Sequence, residues 1–164
     1  MHHKNPISRI IAAFMKSPFS HSGVIYDTSG RDVITMETTD YEVTANFFDR
    51  YLSEERCSIQ VWREENLPIS QRVEAALASK KLNLQTYGYF QLLSWAFEIL
   101  MGKIGIKLPH LIRWGIICNH VPLYAYQNIE GSLISTKDPE AQHTEQMRQM
   151  LMQGATLVYE RISY

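Results

Sequence analysis

Cysteine is scarce in this chain: only Cys57 and Cys118 occur in 164 residues, far apart and in no short C-x-x-C spacing. That scarcity argues against a disulfide framework and against a cysteine-nucleated zinc site, and it fits a reducing cytosol in which a thiol has a chemical role. Excess charge of either sign is also missing. Sixteen basic and seventeen acidic residues nearly cancel, and no segment clusters Lys and Arg with interleaved aromatics, so nucleic acid is not favoured as a partner. Long hydrophobic runs are absent as well. The richest stretch, LLSWAFEILM, is interrupted by Ser94 and Glu98 and falls short of the ~20 apolar residues that span a bilayer. The N-terminal run IIAAFM is six residues long and bounded by Lys16 and Pro18, too short for a signal h-region of about seven to fifteen. It reads instead as a helix over 7–16, with Ile7, Ile10, Ile11, Phe14 and Met15 on one face. The expectation is a protein without integral membrane association, cytoplasmic or carried in a virion or other particle. Repeats, low-complexity tracts and interdomain linkers are missing too, so 1–164 reads as one domain, long enough to bury roughly 70 % of its unfolded surface.

What is present is a symmetric pair of short strands. HSGVIYD and RDVITME flank Thr28, Ser29 and Gly30, where a three-residue hairpin loop would use Gly30 as its left-handed residue. A hairpin centred on Ser29 pairs residues whose numbers sum to 58 and sets His21 opposite Glu37. Opposed side chains lie about 4.5–5.5 Å apart at Cβ, close enough for a carboxylate to orient an imidazole, whereas a one-residue slip would separate the two onto opposite faces. An oriented base calls for a nucleophile, and Cys118, in GIICNHVPLYAY, is the best candidate. A small buried hydrophobe in a core would look the same locally; the joint pattern with His21 and Glu37 favours chemistry. Cys57, with no acid or base neighbour in sequence, reads as a packing residue.

Downstream, a short helix is expected over 45–52, a third strand over 57–63, and a helix opened by Pro68 through RVEAALASKK. A largely apolar, buried helix is expected over 89–101, with Tyr87, Tyr89, Phe90, Trp95 and Phe97 forming helix core and cleft wall. Gly102, Gly105 and Pro109 break the chain into a loop leading to Cys118, after which a helix follows; Pro122 is tolerated only in that helix's first turn. Asp138-Pro139 would start a helix to about Met152, and ATLVYERI would close the chain as a strand. The fold class is α+β, a small antiparallel sheet packed against helices. Cys118, His110 and His120 carry ligand types that suit zinc, but their spacing does not nucleate a site, so no cofactor and no metal are expected.

The order of these segments resembles the permuted papain-like amidases and peptidases of the NlpC type, in their YiiX-like branch. The similarity rests on ISRIIAAFMKSPFSHSGVIYD, VITMET, CSIQVWRE, LNLQTYGY, IICNH and the Asp138-Pro139 segment, and it runs through most of the chain. The resemblance implies a circularly permuted papain-like (NlpC-type) fold with Cys118 as nucleophile, His21 as general base and later acid, Glu37 orienting the imidazole, and Tyr87 near the substrate or oxyanion. It also implies a thiol hydrolase acting on an amide or peptide bond, with bacterial cell-wall peptides, and hence peptidoglycan-derived partners, as the substrate class. A thiol acyltransferase or lipid-ester hydrolase of related fold, or a catalytically inactive binding or assembly domain, are the alternatives.

Overall fold

The computed structural model describes residues 19, 21–28, 32–39, 41–53, 58–88, 115–139, 142 and 144–162, with isolated positions between 90 and 106. The expected helix over 7–16, Cys57, the apex of the first loop, and His110 lie outside the described residues.

The fold is α+β with two small antiparallel sheets. Strands β1 (Gly23–Asp27), β2 (Ile34–Thr38) and β3 (Val43–Phe47) form the first, in the order β1-β2-β3. Strands β4 (Ile59–Arg63) and β5 (Thr156–Arg161) form a separate two-stranded ribbon that joins residues a hundred positions apart. Helices α1 (Asp49–Leu52), α2 (Ile69–Lys80), α3 (His120–Tyr126) and α4 (Thr144–Leu151) complete the described elements.

Strand β3 corrects the helix expected over 45–52. Residues Val43–Phe47 pair with β2 from Val43↔Thr38 to Phe47↔Ile34, and only Asp49–Leu52 remain helical. The reason is tertiary: Val43 is fully buried in a cluster with Met36, Val24, Ile116, Val121 and Ala125, which rewards an extended chain more than local propensity rewards a helix. Within the strand expected over 57–63, Ile59–Arg63 are extended and pair with β5 in the second sheet.

Pro68 precedes α2 as its N-cap, with ψ 150 ending the extended chain. Ala75 and Ser79, four residues apart on one face and both fully buried, are small enough to let α2 pack closely against α3 and β1. Helix α4 starts at Thr144, later than the Asp138-Pro139 start expected from sequence. Pro139 occupies a short turn of tighter helix instead. Of the region over 89–101, the described residues Phe90, Phe97 and Leu100 are helical yet exposed at 58 %, 49 % and 52 %, so this face is not the buried core that its apolar composition suggested. Among the described residues, no helix is long and apolar enough to cross a membrane.

Candidate active site

The hairpin puts His21 and Glu37 on one face, by a register different from the one expected. Gly23, not His21, stands opposite Glu37, and the pairing slips by one between Ile25 and Asp27, leaving residues 28–33 to connect the strands. Residue numbers therefore sum to 60 at the open end, two more than a hairpin centred on Ser29 would give. An even displacement preserves the face, so His21 reaches Glu37 diagonally from just before β1. Gly23 makes this possible. A Cβ there would lie 2.8 Å from the Met36 carbonyl oxygen and 3.0 Å from Glu37 Cβ, blocking the space above the carboxylate.

His21 Nε2 lies 2.5 Å from Glu37 Oε2. The Tyr51 hydroxyl donates to the same Oε2, and Thr35 Oγ1 donates to Oε1 at 3.3 Å. Glu37 is 1 % exposed and Tyr51 2 %, so this buried carboxylate is held by three side chains from β2, α1 and the head of β1. Tyr51 is itself fixed from two sides: the Arg50 guanidinium carbon sits 5.1 Å from its ring centroid, and Arg161 of β5 donates to its backbone oxygen at 2.5 Å and to that of Leu52 at 2.8 Å. Nothing in the local sequence marked Tyr51, because its contact with Glu37 depends on how α1 turns back over the sheet. Thr35, two positions from Glu37 on the same strand face, was legible in principle.

Cys118 is presented by a different route. Ile116 bridges the Tyr87 segment in parallel, with Ile116 N–H donating to the Thr86 oxygen at 3.0 Å and Gly88 N–H to the Ile116 oxygen at 3.1 Å. Gly115 is required for this approach: its φ is +90°, and a Cβ would fall 2.6 Å from Gly88 Cα. The chain then turns at Cys118 and Asn119 into α3, whose third residue is Pro122, in the first turn where a missing N–H costs nothing. Asn119 Nδ2 donates to the Gln142 oxygen, anchoring the turn.

The Cys118 side chain is hydrogen-bonded to His21 and receives the backbone N–H groups of Ser22 and Asn119. Because His21 Nε2 serves Glu37, its Nδ1 is the atom left to face the sulfur. Burial of the imidazole opposes its charge, but the hydrogen bonds to Cys118 and Glu37 and their negative charges outweigh it and raise the His21 pKa from 6.5 to about 9. Burial likewise opposes ionisation of Cys118 and Glu37. The His21 bond and charge, aided by the two backbone N–H groups, nevertheless hold the Cys118 thiol below its ordinary range. Bonds from His21 and Tyr51 do the same for the Glu37 carboxyl. The three groups therefore favour one another's charged forms, thiolate beside imidazolium and imidazolium beside carboxylate.

Tyr87 is half-buried on the segment bridged to Ile116, two residues before Cys118; its backbone N–H donates to the Tyr41 oxygen at 2.8 Å. His120 points elsewhere: it is fully buried and packs edge-on against Tyr124, with ring centroids 5.9 Å apart. Among the described residues, no group of three His, Cys, Asp or Glu side chains could hold a metal ion.

The chain matches no protein-family model, no curated protein and no solved structure.

Proposed function

We propose that this protein is a thiol hydrolase of permuted papain-like (NlpC-type) architecture, cleaving an amide or peptide bond through Cys118, His21 and Glu37. The observation that carries this reading is the unbroken hydrogen-bonded order Glu37, His21, Cys118, assembled from three separate segments of the chain. In this reaction Cys118 Sγ, in the thiolate form that the neighbouring His21 imidazolium favours, attacks the carbonyl carbon. The oxyanion that develops is met by the Cys118 backbone N–H at the start of α3 and by the Tyr87 hydroxyl. The His21 imidazolium gives its proton to the leaving amine as the C–N bond breaks, leaving a thioester. His21, now neutral, takes a proton from water, whose oxygen attacks the thioester and releases the acid and the thiolate. Glu37 stays ionised throughout and keeps the ring aligned, a role that changes orientation and charge without proton transfer. The resemblance to NlpC-type enzymes supplies cell-wall peptides as the substrate class.

The test is the rate of iodoacetamide alkylation of Cys118 against pH. The expected result is fast reaction near neutral pH with an apparent pKa below that of a free thiol, about 8.5. His21→Ala should slow it by about tenfold or more at pH 6 and far less at pH 9, where hydroxide alone generates thiolate. Slow alkylation of the native protein, unchanged by His21→Ala, would make Cys118 a packed core residue and leave an inactive binding or assembly domain as the reading.

A further inference from the structure

Helix α2 carries its large aliphatic side chains on the side away from its own core. The face packed against α3 and β1 buries the small residues Ala75 and Ser79. The opposite face holds Ile69, Val73 and Leu77, four residues apart in one stripe and each more than half exposed. Seven residues after Leu77, about two helical turns, Leu84 is more than half exposed as well. Its φ is +66°, a left-handed conformation that glycine or asparagine ordinarily fills at a helix end. A leucine is kept and exposed there despite the backbone conformation it must take. Single exposed aliphatics are ordinary on a protein surface, whereas a row of them marks a contact face.

The charges beside the stripe decide what covers it. A groove of ≈ 410 Å³ runs along one flank, walled by Val73, Leu77 and Ala78 of α2 and by Tyr124, Ala125 and Ile129, and its α2 rim carries Glu74 and Lys81. Both are exposed, as is Lys80, and among the described residues none of the three has an ion-pair partner within the chain. Seven residues apart, Glu74 and Lys81 lie on the same flank, about 10 Å from each other along the helix axis. A lipid surface attracts one sign of charge, and a flank that alternates in sign does not suit it. A second copy of α2 running antiparallel does suit it, because a twofold axis brings equivalent flanks together and makes every contact twice. With the axis between Leu77 and Ala78, Glu74 falls opposite Lys81 of the partner subunit and one residue from Lys80 of the partner subunit. Leu77 then packs beside its own copy, and Leu84 reaches the space between Ile69 of the partner subunit and Val73 of the partner subunit.

We propose that the outer face of α2 is the contact of a symmetric homodimer, formed by antiparallel pairing of α2 with α2 of a second copy of this chain and closed on its flanks by Glu74–Lys81 pairs. The aliphatic stripe supplies the buried centre, and the opposite charges set direction and register more than strength. The contact uses neither Cys118, His21 nor Glu37, so it holds or fails apart from the thiol-hydrolase reading.

Sedimentation velocity on the full chain tests this. Wild type should sediment at twice the mass of one chain at micromolar concentration, and Leu77→Glu should weaken self-association by about tenfold or more, since it sets two carboxylates at the centre of the contact. Glu74→Lys alone and Lys81→Glu alone should each weaken it about tenfold, because each turns two attractive contacts into repulsive ones. An equimolar mixture of those two variants should recover dimer, as opposite charges face each other again across the mixed pair. Circular dichroism checks that each variant is folded, and if Leu77→Glu is not, the charge reversals decide. A wild-type chain that stays monomeric overturns the proposal, as does a dimer indifferent to folded Leu77→Glu. Reversals that the mixture does not rescue overturn it too, because the antiparallel register requires that rescue. A monomer that instead sediments with phosphatidylcholine–phosphatidylglycerol vesicles makes the face a membrane contact and overturns the dimer.

Discussion

Replacing Tyr51 by Phe isolates one hydrogen bond to a buried charge. The ring volume is kept, so no cavity forms, and the change removes only the hydroxyl that donates to Glu37 Oε2. That oxygen keeps His21 Nε2 at 2.5 Å, and Oε1 keeps Thr35 at 3.3 Å. A hydrogen bond to a charged group contributes about 1.5–3 kcal/mol, and with Glu37 at 1 % exposure water does not easily replace the lost donor. The expected cost at pH 7 is therefore about 2 kcal/mol, and at ~2–4 °C per kcal/mol for a domain of this size the melting temperature should fall by about 4–8 °C. The pH dependence gives the sharper result. Glu37 has a folded pKa below its ordinary 4.5, so the stability it contributes is present above that value and lost as pH falls through the folded pKa. Once the carboxyl is protonated, the bond from Tyr51 joins two neutral groups and contributes only about 0.5–1.5 kcal/mol. Urea denaturation of both proteins should accordingly show a gap that narrows on acidification. A Tyr51→Phe cost below about 0.5 kcal/mol at pH 7, or one that does not change with pH, would refute the assignment of Tyr51 as the donor that stabilises the ionised carboxylate.

Glu37→Gln should keep the fold and reduce Cys118 alkylation at pH 6 less than His21→Ala does, since it leaves nucleophile and base in place; equal, complete loss in a folded protein would assign Glu37 a different part. The His21 pKa of about 9 lies above its ordinary 6.5, so the pairing it makes stabilises the fold fully below pH 6.5 and is lost as pH rises through about 9; a denaturation midpoint flat from pH 6 to 10, in which His21→Ala behaves as wild type, would contradict this. Gly115→Ala should cost about 3 kcal/mol or more, from its φ of +90° together with a 2.6 Å clash against Gly88 Cα, and a melting curve like wild type would show that the Cys118 turn does not depend on that approach. Arg161→Ala removes two hydrogen bonds from the end of α1 and should cost about 1 kcal/mol, read by thermal denaturation, with the partly exposed guanidinium keeping the figure small.

Local patterns were enough to find the strand that follows His21 and the one that bears Glu37, the helix after Pro68 and the closing strand, because alternation and proline placement act over a few residues. They also identified the shared face of His21 and Glu37, since parity survives a two-residue displacement of register. The register itself was decided by the irregular pairing between Ile25 and Asp27 and by the space that Gly23 leaves, neither of which a turn signal encodes. Val43–Phe47 became a strand because burying Val43 against α3 outweighs local propensity. Tyr51 joined the site because Arg161, more than a hundred residues away, holds the end of α1 in place. The sequence by itself determined the chemical types: one thiol, one imidazole and one carboxylate in segments able to carry them. Tertiary structure decided their meeting, since hydrogen bonds of a few ångströms among separate segments are set by backbone approach at Gly23 and Gly115 and by long-range packing, and no local spacing specifies those.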